Sequence, residues 1–116
     1  MKNNLKLILT LTLFCFFATA QVKNNTFNNA VIYEANIRQY SPEGTLNAFT
    51  KDIPTIKKLG VKILWLMPIY PIGVENRKKS LGSYYSIKDY KKINPEFGNL
   101  ADLKKLVQVA HANGMH

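Results

Sequence analysis

The chain has 116 residues, with 16 Lys+Arg against 7 Asp+Glu, a formal net charge of +9, one Cys and two His. One Cys forms no intrachain disulfide, and one Cys with two His cannot supply the four nitrogen or sulfur ligands of a structural zinc site. A hydrophobic content of 47% with 20% charged residues excludes intrinsic disorder and collagen-like repeats, and leaves one small domain as the upper limit.

Residues 1–20 read as a secretory signal peptide. Met1 to Lys6 carries two lysines and no acid, Leu7 to Phe17 is largely apolar, and Ala18-Thr19-Ala20 places small residues before a cleavage expected after Ala20. The run is shorter than the about 20 apolar residues needed to cross a bilayer, so no stable membrane insertion is expected after cleavage. Cys15 leaves with the leader, and the destination is secreted or periplasmic. The remaining chain carries 14 basic and 7 acidic side chains, with Arg77-Lys78-Lys79 as its one basic run of three. Lysines spread this evenly predict a solvated basic surface, and no nucleic acid is expected as a partner.

Residues 21–29 are polar and Asn-rich, which predicts a flexible lead-in. Val31-Ile32-Tyr33 then opens a β-branched and aromatic stretch to about Ile37, the first strand, closed by the turn chemistry of Ser41-Pro42-Glu43-Gly44. From Thr45, a suitable N-cap, Leu46, Phe49, Ile53, Ile56 and Leu59 recur at helical spacing, with Lys51, Lys57 and Lys58 on the other side. Pro54 inside this helix predicts either a kink or a second turn capped by Asp52. Gly60 gives the stop.

Val61 to Met67 is apolar except for Lys62, which predicts a second strand buried on both faces. Strand, helix and strand in this span favour a right-handed βαβ unit. The next helix begins at Asn99 as cap with Asp102 three positions on, close to a capping box, and Leu100, Leu103, Leu106, Val107 and Ala110 are expected on its buried side. Asn113-Gly114 ends it. Met115-His116 resumes an apolar tone where a third strand would start. Two parallel strands with their helices neither cover a sheet nor close a barrel, so the sequence is expected to be a fragment rather than a complete small α/β domain.

The segment between Pro68 and Asn99 far exceeds the usual two to six residues of a connection in α/β units. It holds four of the six tyrosines, Tyr70, Tyr84, Tyr85 and Tyr90, together with Gly73, Gly82 and Gly98. Loops at the carboxyl ends of strands build α/β active sites, and aromatic rings with an apolar face and a polar edge suit sugars. His111 reads as a partly exposed helix residue and His116 carries no signal. The carboxylates Glu34, Glu43, Asp52, Glu75, Asp89, Glu96 and Asp102 show no spacing that specifies an acid/base pair. No phosphate-cradling glycine loop follows either strand.

The segments VIYEANIRQYSPEGTLNAFTKDIPTIKKLGVKILWLMPIYPIG and GSYYSIKDYKKINPEFGNLADLKKLVQVAHANGM resemble the amino-terminal part of the α-amylase family, glycoside hydrolase family thirteen, over about residues 30–116. The resemblance implies the first part of a TIM (β/α)8 barrel, with strands at 31–37 and 61–67 and a third beginning at Met115. A barrel of this kind takes about 250 residues. It also implies that the nucleophilic Asp, the acid/base Glu and the third Asp of the family lie beyond His116, so no catalytic residue is assigned here and the chain alone is expected to be inactive. The intact protein would cleave α-glucosidic bonds in starch-like glucans with retention, with an α-glucan or maltooligosaccharide as partner.

One substrate contact carries over. The family's Tyr four residues before the Asp stacks on the sugar next to the scissile bond, which assigns Tyr85 as the platform relative to Asp89. The Gly usual just before that Tyr is replaced by Tyr84, which makes Tyr84 the fallback. Asp89 is expected to organise the loop. The resemblance places no cofactor on this chain and leaves calcium open for the intact protein. Two readings of other classes stand beside it: a non-catalytic carbohydrate-binding module using the tyrosine loop, and an exported basic protein binding an anionic polymer through its lysines.

Overall fold

In the computed structural model, which describes residues 27–79 and 81–116, the chain forms two parallel strands and three helices. The leader, its cleavage point and residues 21–26 of the lead-in lie outside the described residues. Phe27 to Asn29 make a turn closed by Ala30 N–H donating to Phe27 O at 3.2 Å.

Strand β1 runs Val31–Ala35 and ends two residues before the sequence pattern does. Ile37–Tyr40 instead forms a one-turn helix, α1. Asn36 makes the break: its carbonyl accepts from Gln39 N–H at 3.1 Å, and its amide donates to Gln39 Oε1 at 3.1 Å. Because Ile37 is buried, the apolar pattern runs straight through this change of backbone. The Ser41 to Gly44 turn is as expected. Gly44 N–H donates to Ser41 O at 3.0 Å with φ at +61°, and a Cβ there would sit 2.9 Å from Arg38 O.

Helix α2, Leu46–Lys58, begins with the Thr45 hydroxyl accepting from Ala48 N–H at 3.2 Å. It buries Leu46, Phe49, Thr50, Ile53 and Ile56. Leu59, assigned to the same stripe, is the C-cap and is exposed, because the turn into Gly60 carries it off the helical face. The helix is continuous through Pro54, so Asp52 caps no second turn. Pro54 lies on the solvent side, where the hydrogen bond it removes is least costly.

Strand β2, Val61–Leu66, pairs in parallel with β1, and Met67 N–H extends the pairing to Ala35 O at 2.9 Å. An irregularity between Val31 and Ile32 skips Lys62, after which Ile32 pairs with Ile63, Tyr33 with Leu64, Glu34 with Trp65 and Ala35 with Leu66. Paired residues share a face. Tyr33, Leu64, Ala35 and Leu66 pack into the core with the helices. Ile32 and Trp65, on the other face, stay 55% and 60% exposed. The expectation of a strand buried on both faces is therefore corrected: among the described residues only one face has a covering layer.

Helix α3, Leu100–Ala112, carries the expected capping box, Asn99 Oδ1 accepting from Ala101 and Asp102 N–H and Asp102 Oδ2 accepting from Asn99 N–H. Its buried stripe is Leu106 and Ala110 with Leu103 and Val109 partly covered; Leu100 and Val107 face solvent, contrary to the sequence assignment. The helix packs against α2. Asn47 Nδ2 donates to Asp102 Oδ1 at 2.6 Å near the two helix starts, and Lys57 Nζ to Gly114 O at 3.4 Å near the two ends, so α2 and α3 lie side by side in the same direction. After α3, Met115 is fully buried, His116 N–H donates to Lys62 O at 2.8 Å and His116 O accepts from Leu64 N–H at 2.7 Å. These two bonds have the alternation of a parallel ladder on the free edge of β2, where the third strand is expected.

Candidate functional site

The segment between β2 and α3 is built from a few backbone clasps. Ile69 and Ile72 are buried, which draws the chain leaving β2 down onto the core. An isolated antiparallel bridge joins Ile72 to Ile87, with Gly73 N–H on Ser86 O at 2.7 Å and Lys88 N–H on Pro71 O at 2.8 Å. The Arg77 guanidinium folds back onto Gly73 O and Ile72 O at 2.9 and 3.2 Å. The return limb is held by Asn94 N–H donating to Ile69 O at 2.8 Å, and by buried Phe97, whose carbonyl accepts from Leu46 N–H at 2.9 Å. Gly98 has φ +128°, and a Cβ there would meet Asp102 Oδ2 at 2.5 Å, so any other residue would be strained and would force the capping carboxylate to shift.

The four tyrosines fall into three settings. Tyr84 is half-buried beneath Arg38, whose guanidinium lies 4.7 Å from the Tyr84 ring centroid and 5.5 Å from that of Phe97. Arg38 also pairs with Glu96 at 2.7 Å. Tyr85, the expected sugar platform, is 66% exposed, its N–H reaching Ser83 Oγ at 3.3 Å. Tyr70 and Tyr90 stand together with ring centroids 5.6 Å apart and planes tilted by 52°, at the edge of a groove of about 610 Å³. A second hollow of about 410 Å³ lies inside the excursion, between Gly73, Arg77, Gly82 and Ser86. A third, about 340 Å³, sits at the carboxyl end of β1 beside Tyr33, Glu34 and Asn36. Asn36 Oδ1 is buried there with no hydrogen-bond partner among the described residues.

Arg38 is the residue that sequence reasoning passed over. The signal was a cation directly after buried Ile37, on a segment otherwise reading as strand. It lies at the carboxyl end of β1, and the tyrosine segment leaves the carboxyl end of β2, so one end of the sheet carries both. His111 and His116 are brought near each other, ring centroids 6.2 Å apart, but His116 pairs near the start of β2, at the opposite end.

The carboxylates remain dispersed. Asp89 Oδ1 accepts from Lys91 N–H at 2.8 Å, and that bond, with Lys92 beside it, holds the carboxyl below its ordinary range. Glu43 is likewise lowered, by its own backbone N–H and the Ser41 hydroxyl. Asp52 accepts from Tyr40 OH at 3.1 Å, and burial followed by this carboxylate pushes the Tyr40 phenol up to about 12. Among the described residues no three of His, Cys, Asp and Glu gather to hold a metal ion, and the acidic groups named here are committed to protein partners. No described helix is long and apolar enough to cross a membrane.

Comparison with known proteins decides the family. The model of the α-amylase catalytic domain matches residues 17–116. The chain belongs to the α-amylase catalytic-domain family. An α-amylase structure from Lactobacillus plantarum superposes with a TM-score of 0.73 and 54% identity, covering 75% of this chain and 21% of that one. A noncanonic maltogenic α-amylase from Thermotoga neapolitana gives 0.74 and 41%, covering 78% and 22%. In sequence the chain is 32% identical to an α-glucosidase of Pediococcus pentosaceus over 94 residues and 33% identical to a trehalose synthase/amylase of Mycolicibacterium smegmatis over 102. It spans 16% of the length of each. The fold of these α-amylases is the TIM barrel, of which β1, α2, β2, the tyrosine segment and α3 form a part.

Proposed function

We propose that the whole protein containing this chain is an exported hydrolase that cleaves α-glucosidic bonds in starch-like glucans with retention, and that Tyr85 is the ring on which a sugar next to the scissile bond stacks. The observation that carries this reading is the family match across residues 17–116, joined to an exposed Tyr85 on a clasped loop at the carboxyl end of β2. In a retaining reaction one carboxylate attacks the anomeric carbon while a second protonates the leaving oxygen and then activates water, the two standing about 5 Å apart. In this reading the chain contributes positioning through Tyr85, and the reacting carboxylates belong to other residues of the whole protein.

The test is to give the whole protein maltooligosaccharides and follow the anomeric signal of the first products by proton NMR. Products appearing first as the α-anomer support the reading; β-anomer or no cleavage overturns it. Tyr85→Ala is expected to lower kcat/KM by about 10- to 100-fold, equivalent to about 1.4–2.7 kcal/mol of transition-state binding. Tyr85→Phe should keep most activity, because the ring face does the positioning.

A further inference from the structure

We propose that the groove walled by Tyr70 and Tyr90 is a second sugar-binding site, which holds a stretch of an α-glucan chain away from the bond being cleaved. The inference rests on the α-glucan reading above. Tyr85 accounts for one exposed ring of the loop and Arg38 for Tyr84, which leaves the Tyr70–Tyr90 pair without a structural task. Among the described residues Tyr90 is 70% exposed, and Tyr70 is half-buried with its ring 5.6 Å from it. Their 52° tilt makes two walls of an open angle.

Below the rings the floor is apolar, from Ile93 and Leu103, both packed on the core. Lys91 and Lys92 also line the groove and bring hydrogen-bond donors to it. An apolar floor, aromatic walls and a polar edge are the surface that a pyranose presents in complement: C–H faces bounded by hydroxyls. At about 610 Å³ the groove also falls within the roughly 300–1,000 Å³ of ordinary small-ligand sites.

The groove is held in shape without a ligand. Asn94 N–H on Ile69 O fixes the backbone next to Tyr70, Asp89 Oδ1 on Lys91 N–H fixes the turn after Tyr90, and the Asn99–Asp102 capping box fixes the third side. A preformed aromatic surface loses little ordering entropy on binding. A neutral sugar chain is favoured over an anionic polymer, because Lys92 is already paired with Asp89 at 3.4 Å and the remaining lining is uncharged except for Lys91.

The experiment uses the whole protein and three variants: Tyr85→Ala, Tyr90→Ala and Tyr70→Ala/Tyr90→Ala. Maltoheptaose binding is measured by calorimetry, hydrolysis is measured on a two- to three-unit and on a long substrate, and Lys91 and Lys92 are footprinted by amine acylation with and without maltoheptaose. The groove predicts an affinity for maltoheptaose about tenfold weaker in the double variant, a raised KM for the long glucan with kcat on the short substrate unchanged, and maltoheptaose protection of Lys91 in the wild type and in Tyr85→Ala. Tyr90→Phe should bind as the wild type does. Unchanged long-glucan KM with no lysine protection overturns the proposal, including the case in which another segment of the protein fills the groove. The footprint needs no substitution, so a double variant that fails to fold leaves the question decided by the wild type. Hydrolysis that persists while the groove variants bind normally removes only this inference; groove-dependent binding with no hydrolysis in any form removes the catalytic reading and keeps this one.

Discussion

Arg38 does three things at once: it pairs with Glu96 at 2.7 Å and lies over the rings of Tyr84 and Phe97. Its side chain is mostly covered while that of Glu96 is mostly exposed, so the pair alone is worth little in water, and the two ring contacts add about 0.5–2 kcal/mol. Arg38→Ala is expected to destabilise by about 1–3 kcal/mol in urea unfolding of the whole protein, more than Glu96→Ala does. Lys at this position should recover only part, since an ammonium cannot lie flat on two rings and reach the carboxylate. A loss equal to that of Glu96→Ala would mean that the rings contribute nothing. At this scale the sequence made the tyrosine cluster legible but could not sort it. Which of Tyr84 and Tyr85 is free depends on a guanidinium 46 residues upstream, and no local pattern encodes that contact.

Among the elements, both main helices were legible because their caps and apolar spacing agree. Thr45, Asn99 and Asp102 do what their residue types favour. Asn99→Ala is expected to cost about 1 kcal/mol, read from urea midpoints, with Gly98→Ala costing as much or more through the Asp102 carboxylate. The end of β1 was not legible, because Ile37 belongs to the core whether its backbone is strand or helix. The outer residues of the helical stripes, Leu59, Leu100 and Val107, were misplaced for a related reason: apolar type fixes a helix face only to within the width of the surface it meets.

Tyr40 sets a pH dependence at the junction of α1 and α2. Its phenol is raised to about 12 in the folded chain, first by burial and then by Asp52, against about 10 when unfolded. A raised pKa means that the neutral form is favoured by folding. This contribution is fully present below pH about 10 and is lost as pH rises toward 12. Tyr40→Phe is expected to flatten the stability profile over that window while leaving it unchanged in shape near neutrality. An identical alkaline slope in the variant would refute this assignment.

At the scale of the whole molecule, the sheet has, among the described residues, one covered face and one bare face, and Trp65, the only tryptophan, sits on the bare one. A polypeptide limited to residues 21–116 should therefore show red-shifted tryptophan emission that acrylamide quenches readily, and a broad calorimetric transition. A blue-shifted, protected tryptophan with a sharp peak would show that the chain covers this face itself. Val61 to Met67 announced a strand built for burial on both sides, and the described residues supply one. The composition of a strand thus reports the environment it is adapted to, whereas coordinates report the environment present.

The Arg38–Glu96 clamp joins residues 58 apart in sequence, and the Asn47–Asp102 and Lys57–Gly114 ties are nearly as distant. Each doubling of such a loop adds only about 0.6 kcal/mol to closure, but none of it is recovered until both ends have met. Loops of such similar length carry nearly equal closure costs, so the three ties are expected to form together in one cooperative step rather than one after another.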